Sequence, residues 1–202
     1  MLCIPSLWTD VMPNYRRVYQ PGGTFFFTLV THNRQQIFQD SQAHSLLRQS
    51  IRQVQADMPF DVLAMVLMPD HLHCIWRLPE DDADFSVRWS CIKKGFTRSW
   101  LRAGGRECAV PAYREKFREK GIWQRRFWEH TIRNEDDFIK HVNYIHYNPV
   151  KHKLVACPHL WPHSSFHRWV RQGYYKVDWL CDCGTKNIQP PDFRDIQSSV
   201  GE

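Results

Sequence analysis

Residues 62–76 read VLAMVLMPDHLHCIW, and this stretch decides the predicted fold. Two apolar runs rich in strand-forming residues, 62–67 and 72–76, lie on either side of Met68-Pro69-Asp70. Pro-Asp is a turn signal, so the two runs are predicted to pair as a β-hairpin.

The second strand of this hairpin contains His71-Leu72-His73. Side chains alternate between the faces of a sheet, so both imidazoles are predicted on one face and Leu72 on the other. Two histidines at this spacing form a good bidentate seat for a metal ion, since neutral imidazole is a common ligand. The alternative is a pair of half-buried histidines with a packing role.

Working outward, the patterns predict the order β-α-β-β-α-β-α. The first six elements make an α+β fold with a ferredoxin-like βαββαβ sheet and two helices on one face. A third helix is added at the C-terminal side and must dock on the sheet. The elements outside the hairpin are a strand over 24–31, a helix from about Ser41 to Pro59, a helix from Phe85 to about Leu101, a strand candidate over 122–132, and a helix capped by Asn134 and stopped by Pro149.

Length and composition bound the protein class. The chain has 202 residues, 43% hydrophobic and 24% charged, the balance of a globular protein with one domain. No apolar run approaches the roughly 20 residues that cross a bilayer, and no export signal is visible, so a cytoplasmic protein without membrane contact is expected. The seven cysteines are mostly scattered, and reduced thiols rather than disulfides are expected.

Three segments are predicted along the chain. Residues 1–12 form an N-terminal extension expected to be disordered, 13–180 form the folded domain, and 181–202 form a polar, loose tail. Lys and Arg exceed Asp and Glu by 27 to 21, and the tail contains more acids than bases. The basic domain favours a polyanion such as nucleic acid as partner, and the plainer alternative is a basic protein without one.

The third helix carries a second group of polar side chains. His141, Tyr144 and Asn148 fall on one flank of its apolar stripe, with Tyr144 and Asn148 one turn apart. Asn148 could complete a metal site with His71 and His73, and Tyr144 could act as a nucleophile. Without the histidine pair, an ordinary amphipathic helix explains the same pattern.

Four motifs together resemble the REP-associated tyrosine transposases, members of the single-tyrosine HUH superfamily (HUH for His-hydrophobic-His). They are MPDHLHCIW, IWQRRFWEHTIRNEDDF, HVNYIHYNPVKHKLV and WPHSSFH, and the resemblance runs from about Tyr15 to Trp179. It implies a catalytic tyrosine at Tyr144 and metal ligands at His71, His73 and Asn148, the residues that the patterns also select. Two departures stand out: Phe25 replaces the Trp of a Gly-Thr-Trp signature, and Lys153 replaces a Gly.

The resemblance implies a transposase that cleaves and rejoins single-stranded DNA through a 5′-phosphotyrosine intermediate. It implies a divalent metal ion, Mg²⁺ or Mn²⁺, and hairpin DNA with palindromic repeats as substrate, bound by a monomer or homodimer. No nucleotide cofactor is expected, because the phosphotyrosine conserves the bond energy and no P-loop pattern is present. The alternatives are a non-catalytic hairpin-binding module and a metallohydrolase that uses bound water. The transposase mechanism requires a phenol that DNA can reach.

Basic residues next to aromatic ones predict the DNA contacts, since bases stack on aromatic rings and cations hold phosphates. Trp123, Phe127 and Trp128 are candidate stacking platforms, with core packing as the alternative. The resemblance adds Arg16 and Arg17, which precede the two glycines at 22–23, and the Gly23-Thr24 signature. The predicted DNA-binding residues are Arg16, Arg17, Gly23, Thr24, Lys94, Arg125, Arg126 and Lys151.

The sequence contains three weaker signals of function. His141 is a candidate general base by position, with a structural histidine as the alternative. A zinc site could combine histidines near Cys157 with Cys181 and Cys183, although the spacing matches no known finger; the histidines are His159, His163 and His167. The acidic tail could cover the active site and restrain it.

Overall fold

Four antiparallel strands form one sheet in the order β2-β3-β1-β4 in a computed structural model of the chain. The structure describes residues 19–117, 119–183 and 189–200. The strands are β1 (Thr24–Val30), β2 (Asp61–Leu67), β3 (His71–Arg77) and β4 (Trp128–Thr131); the helices are α1 (Ser41–Asp57), α2 (Phe85–Arg102), α3 (Ala112–Glu115), α4 (Glu135–Lys151), α5 (Phe166–Arg171) and α6 (Arg194–Val200). The predicted ferredoxin-like βαββαβ order and the hairpin are confirmed.

Strand β3 lies inside the sheet and is buried along its length except at Arg77. Alternate side chains of β3 pack against different layers of the fold. Leu72, Cys74 and Trp76 pack into the cluster that includes residues of α1 and α2. Ile75 packs into a second cluster with residues of α4, on the opposite face, as the period-two alternation of strands requires.

Helices α1 and α2 cover one face of the sheet together. The Trp76 ring stacks on Trp89 of α2, with ring centroids 3.9 Å apart. The buried Arg88 guanidinium pairs with Asp82 at 2.6 Å and donates to the Pro59 carbonyl at 3.0 Å, which fastens α2 to the turn between α1 and β2. This layer supplies most of the hydrophobic core and leaves the other face of the sheet for α4.

Helix α4 docks on that other face through Val142 and Ile145. The Asn134 side chain accepts a hydrogen bond from the Asp137 N–H and caps the helix, as predicted. The expectation that Pro149 ends the helix is wrong, because α4 continues to Lys151. Pro149 lies in the last turn and is buried, so packing against the domain outweighs the hydrogen bond that proline removes.

The predicted strand over 122–132 is also largely wrong, since only Trp128–Thr131 pairs in the sheet. Ile122 and Trp123 are buried in the core beneath α2, and an isolated bridge pairs Trp123 with Thr31, the residue after β1. Apolar residues that fill a core from a loop produce the same sequence pattern as a buried strand.

The segment after residue 180 differs from the loose tail that composition suggests. Helix α6 forms there, and Phe193 and Ile196 are buried against the α4 cluster. Cys157 and Cys181 are joined by a disulfide, so the expectation of reduced thiols throughout is wrong for this pair. The predicted extension over 1–12 lies outside the described residues.

None of the helices within the described ranges is long and apolar enough to span a membrane.

Candidate active site

The two imidazoles of β3 lie side by side on the α4 face of the sheet. His71 and His73 are 2% and 0% exposed, and their ring centroids are 4.9 Å apart. Because both come from one strand paired on both sides, their backbone positions are fixed by the sheet.

Each imidazole has a polar partner at its Nδ1 atom. His71 Nδ1 lies 2.5 Å from Asp70 Oδ1, and His73 Nδ1 lies 2.8 Å from the Thr28 hydroxyl of β1. Burial alone would raise the Asp70 pKa, but the hydrogen bonds and charges of His71 and Arg34 outweigh it and lower that pKa. A carboxylate on one ring nitrogen orients the ring and increases the basicity of the other, as metal-binding histidines require.

Helix α4 brings Tyr144 and Asn148 to the same face. The Tyr144 ring centroid lies 5.2 Å from that of His73. Asn148 is fully buried, and its Oδ1 and Nδ2 atoms make no hydrogen bond to any described residue. A buried amide without partners is costly, unless a ligand satisfies it. Imidazole nitrogens and an amide oxygen are ligands that a divalent cation accepts, so His71 and His73, with Asn148 one turn from Tyr144, are the candidate ligands at this site.

Lys151 adds a cation to the site from the last turn of α4. Its Nζ atom donates to the Tyr144 hydroxyl at 3.3 Å and lies 5.0 Å from the centroid of that ring. The sequence predicted Lys151 as a phosphate contact, and the structure places it directly beside the candidate nucleophile. An ammonium group there can stabilise negative charge on the phenol oxygen.

The Tyr144 side chain is only 1% exposed, so the expected accessibility of the phenol is wrong for this structure. Phe26 of β1 flanks its ring on the sheet side, with centroids 6.1 Å apart. Phe193, just before α6, contacts the ring at a centroid distance of 5.5 Å, and Ile196 belongs to the same cluster. The tail thus lies over the candidate nucleophile.

A second group of polar side chains lies near the start of α4. Donor atoms of His130, Asp137 and His141 lie within 4.8 Å of one another, so this set can hold a metal ion. His130 Nε2 contacts Asp137 Oδ2 at 2.9 Å, and His141 Nδ1 contacts the Asp137 carbonyl at 2.8 Å. The Phe26 ring contacts both His141 and His73 and lies between this group and the histidine pair.

Burial lowers the His141 pKa to about 4. A group with so low a pKa is a weak base at neutral pH, and the contacts of His141 explain it as a structural residue. The geometry therefore supports a structural role for His141 and not the role of general base.

The predicted DNA contacts fall into separate regions. Lys94 and Arg125 line a groove of about 770 Å³ between α2 and the segment before β4, and the exposed Arg126 follows Arg125. Basic residues dominate its polar lining: Lys93, Lys94, Arg98, Arg102, Arg114, Lys120 and Arg125. This groove is on the face opposite the histidine pair.

The Gly-Thr signature, Gly23 and Thr24, lies at the start of β1. His73 of β3 pairs with Thr28, farther along that strand. Gly23 is buried, and a Cβ atom there would come within 2.7 Å of the Phe25 ring, so packing requires the glycine. Thr24 is half-buried, and Arg16 and Arg17 lie outside the described residues.

The predicted stacking platform has largely become core. Trp123 is 4% exposed, and Phe127 and Trp128 are half-buried against the two hydrophobic clusters. The core-packing alternative is therefore correct for Trp123.

Sequence reasoning missed three contacts of the candidate site: Asp70 on His71, Thr28 on His73, and Phe193 on Tyr144. Asp70 could have been found as the carboxylate that directly precedes the first histidine. Thr28 follows once β1 is paired with β3, because its register partner is His73.

Comparison with known proteins identifies the family of the chain. The family described as "Transposase IS200 like" matches residues 23–148. The REP-associated tyrosine transposase of Escherichia coli K12 is 46% identical over 171 residues, covering 85% of this chain and 93% of the relative. A Haemophilus influenzae relative is 41% identical over 83% of the chain. A solved REP-associated tyrosine transposase bound to a REP hairpin covers 90% of this chain at 42% identity, with a TM-score of 0.69.

The low His141 pKa has a measurable consequence. We expect the His141 ring to stay neutral from pH 8 down to about 5, since its pKa of about 4 reflects burial. NMR titration of ring-labelled histidine should show no transition for His141 in that range, and a His141→Gln variant assigns the signal. A His141 transition near pH 6.5 would contradict the buried, structural assignment.

Proposed function

This chain belongs to the IS200-like transposase family and, within it, to the REP-associated tyrosine transposases, and from that membership we propose that it cleaves and rejoins single-stranded DNA with Tyr144 as the nucleophile. The observation that carries the proposal is the contact of the Tyr144 ring with His73, 5.2 Å between centroids. The buried Asn148 amide, without a hydrogen-bond partner among the described residues, lies one helical turn after Tyr144 on α4 and is the proposed third ligand beside the two imidazoles.

In the proposed reaction, the Tyr144 oxygen attacks a backbone phosphorus and forms a phosphotyrosine bond. The bond from phosphorus to the 3′ oxygen breaks, the phenol loses its proton, and the leaving oxygen gains one. A free 3′-OH can later attack the phosphotyrosine and reverse the exchange at a new junction. Lys151 lies 3.3 Å from the attacking oxygen and stabilises the charge that develops there.

The proposed metal ligands are His71, His73 and Asn148, with Asp70 and Thr28 orienting the imidazoles. Mg²⁺ or Mn²⁺ bound there would polarise a phosphate oxygen and orient the scissile bond. The unpartnered Asn148 amide is the feature of this chain that supports a resident cation.

The proposed substrate is hairpin DNA that contains palindromic repeats. A solved relative at 42% identity is bound to a REP hairpin, and the basic groove of this chain has the charge that phosphates require. We propose that residues 13–180 form the transposase domain and that it acts in the cytoplasm, where the chromosome lies. We also propose that a monomer is sufficient, because Tyr144 contacts His73 of its own chain.

The buried phenol means that the described conformation is closed. We propose that 181–202 is a regulatory tail and that α6 undocks before DNA reaches Tyr144, since Phe193 and Ile196 form its cover. The burial of Tyr144 also favours one rival function, a hairpin-binding module without cleavage. A second rival is a metallohydrolase that uses bound water, and it would form no covalent adduct with DNA.

Replacement of Tyr144 tests the nucleophile. Tyr144→Phe should abolish both cleavage of a hairpin oligonucleotide with Mn²⁺ and the covalent protein–DNA adduct on a denaturing gel, since it removes the attacking oxygen. Tyr147→Phe, on the same helix, is the matched control and should retain both. Cleavage that survives Tyr144→Phe would rule out the assignment, and wild-type cleavage without an adduct would favour the metallohydrolase.

Loosening the tail tests the cover. The double variant Phe193→Ala and Ile196→Ala should raise the rate of adduct formation on the order of tenfold or more, because each 1.4 kcal/mol of lost packing changes the closed-state equilibrium about tenfold. Ser198→Ala on the exposed side of α6 is the control. An unchanged rate, with thermal unfolding showing an intact domain, would show that tail packing does not limit access.

Charge removal in the groove tests DNA binding. Lys94→Ala and Arg125→Ala should each weaken hairpin binding and reduce the slope of log K against log salt by about 1, as expected for one lost phosphate contact. Arg52→Ala, an exposed arginine on α1, is the control. If the groove variants bind with the wild-type salt slope, the groove is not the DNA interface.

A further inference from the structure

Three cysteine side chains and one imidazole converge beyond the end of α4. Cys157 and His159 belong to the segment that follows α4, and Cys181 and Cys183 lie 24 and 26 residues after Cys157 in the chain. The Asp182 N–H donates to the Ala156 carbonyl at 2.8 Å and holds the two segments together. The cluster is therefore built by the fold from two remote pairs.

The donor atoms of this cluster occupy a small volume. Cys157 Sγ, a His159 ring nitrogen and Cys181 Sγ all lie within 4.8 Å of one another, and Cys183 Sγ is 2.7 Å from Cys181 Sγ. Cys157 and Cys181 are 1% and 9% exposed. His159 Nδ1 is buried and makes no hydrogen bond to any described residue.

The other histidines that the sequence suggested for this site are used elsewhere. His163 packs on His44, with ring centroids 3.8 Å apart, and His167 Nε2 contacts the Trp161 carbonyl at 3.0 Å. The structure thus reduces the candidate ligands to three cysteines and one histidine.

We propose that Cys157, His159, Cys181 and Cys183 form a structural zinc site in the reduced chain. Three thiolates and one imidazole are a common ligand set for tetrahedral structural zinc. Zinc–sulfur bonds of about 2.3 Å at tetrahedral angles place sulfurs about 3.8 Å apart, so zinc would move the Cys181 and Cys183 sulfurs, now 2.7 Å apart, about an ångström farther from each other. The unpartnered His159 nitrogen supplies the fourth ligand.

Zinc and the Cys157–Cys181 disulfide are mutually exclusive states of the same residues. A cytosolic dithiol can reduce the Cys157–Cys181 disulfide. It transfers two electrons and two protons, so that two cysteine thiols form and the reductant itself becomes a disulfide. Zinc then binds as the three cysteine thiols release three protons. A reducing compartment favours the zinc-bound state.

The location gives the site a mechanical role. One ligand pair follows the helix that carries Tyr144, and the other lies where the segment towards α6 begins. The hydrogen bond from the Asp182 N–H to the Ala156 carbonyl, five residues after the end of α4, ties the two segments together at the cluster. Zinc would therefore fix the start of the tail, residues 181–202, in place. This mechanical role rests on the proposed function, whereas the metal site itself does not.

The test is metal binding by the full chain, purified under dithiol reductant from cells supplied with zinc. We expect about one tightly held zinc per chain, and Co²⁺ substitution should give the near-ultraviolet band of thiolate-to-cobalt charge transfer. Cys157→Ser and Cys183→Ser should lose the band and at least tenfold in zinc content. Cys91→Ser, an exposed free cysteine on α2, should keep both.

The thiolate band separates this site from the histidine pair, which has no sulfur ligand. A reduced wild-type chain without the band, or with a Cys157–Cys181 disulfide that persists under reductant, would overturn the proposal. An unchanged band in Cys183→Ser would overturn the four-ligand set. Because Co²⁺ is added to the wild type, the result does not depend on a variant that folds poorly, and it holds even if Tyr144→Phe still cleaves DNA.

Discussion

The alternation of side chains along β3 is the constraint on which the rest of the structure depends. An inside strand of a sheet covered on both sides has to satisfy two environments with one run of residues. Leu72, Cys74 and Trp76 meet the apolar layer, so the positions between them are available for polar chemistry. A shift of one residue in register would bury both imidazoles among the aromatic rings of α2 and expose Leu72 to the site.

This constraint explains why the site needs α4. Polar groups on a buried sheet face require partners, and the face provides them from three directions: Asp70 from the turn, Thr28 from the neighbouring strand, and the polar flank of α4. The apolar stripe of α4 supplies the packing that holds its polar flank in place. The geometry of the candidate site and hydrophobic burial are thus achieved by the same contact.

The sequence predicted the parts of this structure that repeat with a period. The hairpin, the facing of the histidines and the relation of Tyr144 to Asn148 follow from alternation and helical spacing. Pro149 and Trp123 were misjudged because their local preferences were overridden by burial in the core. Phe193 and Ile196 are isolated apolar residues in a polar segment, so no pattern identified them as a cover. The cysteine cluster depends on two segments that only the tertiary fold brings together.

The cover over Tyr144 consists of packed apolar side chains, and this has a consequence for selectivity. Displacing such contacts requires free energy, and a ligand can supply it only through preferential affinity for the uncovered form. Under the proposed function, a short single strand with few phosphate contacts would leave the equilibrium almost unchanged, whereas a hairpin with many phosphate contacts would shift it. If the proposed cleavage and the proposed undocking of α6 hold, Phe193 and Ile196 would set an affinity threshold that protects other single-stranded DNA from accidental nicking.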